Sequence, residues 1–281
     1  MATGTSDPAG TGPLLSEHAG RAARVYGAAA DHYGSAALGF WDRFGAATVS
    51  RLRLSPGGAV LDLCCGAGAS AVPAARAVGP SGRVLGIDAA APLLDLARAR
   101  VAAEGLANVE FRTGLPDGSF DAVVCVFGIF FAPDMAAFAR EMWRLVRPGG
   151  VLAVTTWGPG LFEPANSLFW RCVGEIDPAL FKSFNPWDEI TTPAALAGLL
   201  TRGGVPHPAV TAVTAVTGRH QLEHPDRFWD IVLGSGYRAT IDALTPAQRD
   251  LVRERLLAAL RERHVTTVRT DVIFGTATRS G

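Results

Sequence analysis

Between Ala59 and Trp157, short apolar runs alternate with amphipathic stretches, and this alternation limits the fold more than any other feature of the chain. Val60-Leu61-Asp62-Leu63, Arg83 to Ile87, Val109 to Arg112, Phe120 to Val126 and Val151 to Thr155 have the texture of strands. Nearly all-apolar strands are buried on both faces, and parallel neighbours need a crossover, usually helical, between them. One crossover is well marked: Asp134 follows Pro133 as an N-cap, and Phe138, Met142 and Leu145 recur at spacings of four and three up to Arg147. The expected fold class is α/β, an open sheet covered by helices on both faces.

The flanks read differently. Arg21 to Arg53 reads as helix, punctuated by Tyr26, Tyr33, Phe40, Trp41 and Phe44. Pro159 to Trp187 combines Phe and Trp with Pro and Gly breaks, which suits a lid better than another strand and helix. Thr192 and Pro193 open a helix that runs to Arg202, and Pro208 to Thr217 reads as a strand. Thr245-Pro246-Ala247-Gln248 is a capping box opening a helix with Val252, Leu256, Ala259 and Leu260 on one side. Val265 to Thr278 reads as a last strand. The expected organisation is a flexible lead-in (1–13), an N-terminal helical cap (14–53), a ligand-binding core (54–157) and lid helices with C-terminal strands completing the same domain (158–281).

Lys+Arg and Asp+Glu are both 26, so the formal net charge is zero. Chains that grip nucleic acid usually carry a basic excess, and none is expected to bind here. Cys64, Cys65, Cys125 and Cys172 show no C-x-x-C spacing, so no metal site is expected, and reduced thiols suit a cytoplasmic protein. The first twenty residues lack the basic start and apolar centre of a secretory signal. The longest apolar run, Ala122 to Pro133, is well short of the ~20 residues that cross a bilayer.

The segment Val60 to Ser70 carries the functional information. A strand runs into the turn Gly66-Ala67-Gly68 and then into a helix, so the backbone can approach a ligand and the first helical amides can donate to it. Asp88, twenty residues beyond Gly68, ends the second strand, where a carboxylate can accept from ribose hydroxyls. Asp62, inside the first strand, disfavours a pyrophosphate and is compatible with a cationic ligand. These residues resemble the class I S-adenosylmethionine-dependent methyltransferases: Asp62-Leu63-Cys64-Cys65-Gly66-Ala67-Gly68 is similar to their first motif, with Cys64 in place of its first glycine. Gly86-Ile87-Asp88 with Pro92 to Ala97, then Pro116 to Val124, then Leu145 to Gly150 resemble the next motifs in the correct order. Phe127-Gly128-Ile129 and the helix after Asp134 resemble the branch of quinone C-methyltransferases and bacterial small-molecule methyltransferases.

The resemblance implies S-adenosyl-L-methionine as cofactor and a Rossmann-like, mostly parallel sheet of order 3-2-1-4-5-7-6 with its last strand antiparallel and a helical cap. It implies that the Cys64, Gly66, Ala67 and Gly68 backbone meets the methionine end, with Asp62 beneath. Asp88 would then hold the ribose, Ala89 would lie beside the adenine, Val126 beside the methionine portion, and Tyr33 over the carboxylate. The sequence departs from this branch after strand three. Arg112-Thr113-Gly114 runs straight into Pro116 without the acid that reads the adenine amine. Three inter-strand gaps and a return along the strands need about 22 Å, and the steps from Thr113 to Phe120 reach at most about 24 Å. A short, frayed or displaced third strand is therefore expected, with an open adenine end. Asp117 reads as a turn residue or as a substitute for the missing acid.

A methyl sulfonium is already activated, so the protein's task is to align a nucleophile and exclude water. Phe130 and Phe131 stand where relatives carry histidine, so no base comes from that position. Trp157, Glu163, Asn166, Trp187 and Arg238 are candidates for the acceptor pocket. The expected activity is methyl transfer to carbon or oxygen of an apolar or aromatic small molecule. A cofactor-fold protein that no longer methylates, or an NAD(P)-dependent oxidoreductase, are the alternatives.

Overall fold

A computed structural model describes residues 17–114, 116, 118–207 and 210–281. The whole of the expected lead-in (1–13), residues 14–16 of the expected cap, and Asp117 lie outside these residues. The main sheet has seven strands. They are β1 (Ala59–Leu63), β2 (Arg83–Ile87), β3 (Val109–Arg112), β4 (Phe120–Val126), β5 (Val146–Trp157), β6 (Val210–Val216) and β9 (Val272–Thr278). Their order is β3-β2-β1-β4-β5-β9-β6. With β9 as the seventh strand of this sheet, that is the expected topology. The first five strands are parallel, and β9 runs antiparallel to both β5 and β6.

Helices α3 (Ala71–Val78) and α4 (Ala91–Ala103) follow β1 and β2. They close one face over Val60, Val84, Phe111 and Val124. Helix α5 (Met135–Leu145) is capped by Asp134, whose side chain accepts from the Ala137 amide at 2.9 Å. It belongs to the opposite core, with Leu61, Leu63, Val123 and Val154. That core runs in sequence from Ala37 to Ala277, so both flanking segments pack into it.

Several boundaries differ from the sequence reading. The N-terminal stretch is not one helix but α1 (Glu17–Ala29), two short 3₁₀ turns and α2 (Phe40–Val49). Gly34 and Ser35 break it, and Ser35 caps the second turn by accepting from the Ala37 amide at 3.3 Å. This break turns Tyr26, Tyr33 and Trp41 toward a common space. The last stretch is likewise divided into β8 (Thr267–Arg269) and β9. At the bend, the Asp271 carboxylate accepts from the Gly218 amide at 2.9 Å and from Arg269 Nε at 2.7 Å. Strand β8 pairs instead with β7 (Arg219–Gln221) in a separate two-stranded sheet. The lid contains a full helix, α6 (Ala165–Ile176), and α7 (Pro193–Arg202) follows with Thr192 as its cap. Then come α8 (Phe228–Leu233), α9 (Arg238–Ala243) and α10 (Pro246–Glu262), the last with its capping box complete. Strand β3 is short, at four residues, but all four pair in register with β2, so it is neither frayed nor displaced.

Helix α2 approaches the turn before α3 so closely that a methyl group on Gly45 would run into the backbone of Ala69. Backbone cannot yield as a flexible side chain can. Gly45→Ala is expected to destabilise the protein by about 1–3 kcal/mol, as overpacking does. Denaturant melts of the two proteins measure this, and an unchanged midpoint would contradict it.

Candidate functional site

Two cavities adjoin one another, the first of them at the C-terminal ends of β1, β2 and β4. The first is bounded by Leu63, Ile87 and Val126 at those strand ends and by the glycine turn. Its central polar group is Asp88. The Gly66 amide donates to Asp88 Oδ2 at 2.9 Å and the Ala90 amide donates to Oδ1 at 2.8 Å, so one carboxylate ties the turn after β1 to the turn after β2. Burial raises its pKa above the usual carboxylate value, and the amides of Ala90, Gly66 and Ala89 oppose that rise.

Tyr33, Cys64, Gly66, Ala67, Asp88, Ala89 and Val126 all line this cavity. Asp62 and Gly68 do not. Asp62 is only 1% exposed and lies under the turn, where Ser70 Oγ donates to its Oδ2 at 2.7 Å. Gly68 faces away: a Cβ there would lie 3.5 Å from Ala97 Cβ and 3.7 Å from Phe111 Cζ, so it sets how closely α4 and β3 pack. Cys64 has φ 58°, the left-handed conformation that a glycine adopts freely and that a residue with a Cβ adopts at some cost. Its side chain is accommodated because Gly128 has none. A Cβ on Gly128 would lie 2.7 Å from Cys64 Sγ and 2.9 Å from Cys125 Sγ. At the adenine end Thr113 lines the cavity and brings no carboxylate from β3.

Sequence reasoning missed Tyr26, Trp41, Phe127 and Phe131, which also line the first cavity. Tyr26 meets Phe131 edge-on with centroids 5.3 Å apart, and Tyr33 lies parallel to Trp41 at 6.2 Å. Burial, with Asp88 nearby, keeps both tyrosines protonated well above their usual range. The aromatic punctuation of the N-terminal segment was the available signal for Tyr26 and Trp41.

The second cavity has a volume of about 380 Å³, within the roughly 300–1,000 Å³ typical of small-molecule sites. Trp157 and Trp187 line it. Trp157 stacks on Phe127 with centroids 3.7 Å apart, and Trp187 meets Phe130 edge-on at 5.4 Å. Glu163, Asn166 and Arg238 are not part of its wall. Glu163 accepts from Asn166 Nδ2 at 3.0 Å and Ser167 Oγ at 2.8 Å, closing the start of α6. Asn166 Oδ1 in turn accepts from the Tyr237 hydroxyl at 2.6 Å. Arg238 donates to Asp242 one helical turn on at 2.9 Å and pairs with Asp31 at 3.2 Å. Tyr26, Trp41 and Phe131 line both cavities, so the two spaces share one aromatic wall. Among the described residues, no group of three or more His, Cys, Asp or Glu is placed to hold a metal ion, and no helix is long and apolar enough to cross a membrane.

The strand order, with β9 antiparallel between β5 and β6, is the Rossmann-like fold found in methyltransferases. Comparison with known proteins agrees, since residues 60–150 match the family described as Methyltransferase domain. The demethylmenaquinone methyltransferase of Lactococcus lactis subsp. lactis (strain IL1403) is 36% identical over 141 residues. That match spans 47% of this chain and 56% of the relative, so the chain covers less than two thirds of that protein's length. A solved structure from Bacillus halodurans C-125 superposes with a TM-score of 0.55 at 17% identity, covering 84% of this chain and 99% of that one. The [4+2]-cyclase SpnF superposes at 0.52 with 19% identity, covering 85% and 81%. At such identities these two likenesses are of fold.

Proposed function

We propose that this protein is an S-adenosylmethionine-dependent methyltransferase. It holds the cofactor in the first cavity and transfers the methyl group to carbon or oxygen of an apolar or aromatic small molecule in the second. The shared wall of Tyr26, Trp41 and Phe131 carries this reading, because a methyl donor in the first cavity and an acceptor in the second would face each other across it. The residues suit the cofactor. Asp88 keeps lone pairs for ribose hydroxyls, Ala89 flanks the adenine, and the Cys64 to Ala67 backbone with Val126 borders the methionine end. Tyr33 closes over the carboxylate. Asp62 Oδ1 is buried with no partner among the described residues, which suits a cation above the turn. When bound, the cofactor supplies a methyl sulfonium. The chain's own part is to align the acceptor and exclude water.

Among the described residues, the wall of the second cavity holds no carboxylate and no histidine. The favoured acceptor therefore presents an electron-rich carbon or an oxygen that ionises without a dedicated base. The described residues of 17–53 and of 158–281 act as covers over this site. A relative named for methylating demethylmenaquinone supports an aromatic acceptor. Thr113, where a carboxylate would read the adenine amine, favours a second reading, a cofactor-fold protein without transfer activity. Calorimetry with S-adenosylmethionine, S-adenosylhomocysteine and NAD, followed by labelled-methyl transfer to hydroxyarenes, separates these readings. Binding of the first two ligands with transfer is expected. Binding without transfer to any acceptor would favour the second reading, and tight NAD binding would overturn both.

A further inference from the structure

The mouth of the second cavity carries positive charge that methyl transfer does not use. Lys182, the only lysine in the chain, and Arg21 both line this cavity. Phe184 lines it too and is 56% exposed, which marks where the space meets solvent. Among the described residues, neither cation takes part in an ion pair. Lys182 Nζ instead sits 5.7 Å from the centre of the Trp170 ring, another part of the same wall. Burial, and then the charge of Arg21, lower the Lys182 amine below its usual value, with no carboxylate acting the other way. Two like charges beside an aromatic surface repel each other, and an anion between them removes that repulsion. A further polar group waits in the wall: Ser235 Oγ is buried with no partner among the described residues.

We propose that the acceptor is an aromatic or apolar molecule bearing an anionic oxygen group, such as a carboxylate or phosphate. Lys182 and Arg21 hold that group at the mouth, while the ring system lies against Trp157 and Trp187. This deepens the reading of the second cavity as the acceptor site and rests on it. The two cations thereby select for charge and fix which end of the acceptor faces the shared wall. Arg238, one of the acceptor-pocket candidates in the sequence, is occupied by Asp242 and Asp31.

The test uses 2-naphthoate and its neutral counterpart 2-naphthamide, titrated against the full chain in the presence of S-adenosylhomocysteine. Binding is read from the fluorescence of the tryptophans lining the cavity. Naphthoate is expected to bind about tenfold more tightly than naphthamide, with the preference shrinking as salt is raised. Lys182→Met and Arg21→Met, both exposed positions, are each expected to weaken naphthoate binding about five- to tenfold and to leave naphthamide unchanged. Equal affinity of the wild type for both ligands, or an undiminished naphthoate preference in both variants, would overturn the proposal. Calorimetry with S-adenosylhomocysteine alone keeps the two levels apart. Cofactor binding without any anion preference sinks this inference only, whereas anion preference without cofactor binding sinks the reading of the first cavity only.

Discussion

Asp88→Ala is expected to weaken S-adenosylhomocysteine binding by roughly 1–3 kcal/mol, about 5- to 150-fold, through loss of charge-assisted hydrogen bonds at a partly buried site. The effect has two sources. The carboxylate's free lone pairs are lost to the ribose, and the Gly66 and Ala90 amides lose the acceptor that fixes the two turns against each other. Asp88→Asn is the milder change. Its one carbonyl oxygen can accept from the Gly66 or the Ala90 amide but not from both, so it should bind with intermediate strength and melt between the wild type and Asp88→Ala. Isothermal titration of the three proteins, with thermal melts as the folding control, makes the measurement. Equal affinity in wild type and Asp88→Ala would remove the ribose assignment.

Much of this site is legible in the sequence because it depends on local chain chemistry. Strand β1, the Gly66-Ala67-Gly68 turn and Asp88 follow one another within thirty residues, and their spacing carries the geometry. Helix starts at Asp134, Thr192 and Thr245 are legible for the same reason, since a cap and its amide lie three residues apart. The aromatic wall is different. Tyr26, Trp41, Phe127 and Phe131 meet only because the chain breaks at Gly34 and Ser35 and because Phe127 takes a left-handed conformation, φ 56°. No spacing rule encodes that meeting. Three of the acceptor candidates, Glu163, Asn166 and Arg238, lie outside the second cavity for a local reason. Glu163 with Asn166 and Ser167, and Arg238 with Asp242, stand three or four residues apart, and on or beside a helix such neighbours satisfy one another before they reach a ligand. The zero net charge sums the whole chain and is silent about Lys182 and Arg21 sharing one cavity mouth.

Asp62 should make the stability of the protein fall as pH rises, because the fold buries this carboxylate without a counter-ion among the described residues. Burial pushes its pKa up to about 7, Asp88 adds to the rise, and the bonds from Ser70 and the Ala71 amide oppose it. The folded chain therefore keeps a proton on Asp62 at a pH where the unfolded chain, with a pKa near 3.9, has released it. For a pKa raised by folding, the stabilisation is complete below the unfolded value and is lost as pH rises toward the folded value. Asp62→Asn has no proton to lose. Its stability relative to the wild type is expected to gain up to about 1.4 kcal/mol per pH unit between roughly pH 4 and 7, then to level off. Urea melts of both proteins at pH 5, 6, 7 and 8 read this directly, and a constant difference between them would show that Asp62 ionises freely in the fold. The same residue connects stability to the ligand. A sulfonium above the turn favours ionised Asp62, so saturating S-adenosylmethionine should flatten the wild-type pH dependence more than S-adenosylhomocysteine, which has no sulfonium charge. If both ligands shift the melts of wild type and Asp62→Asn alike at every pH, the buried carboxylate is uncoupled from the methyl donor and serves only to hold Ser70 at the start of α3.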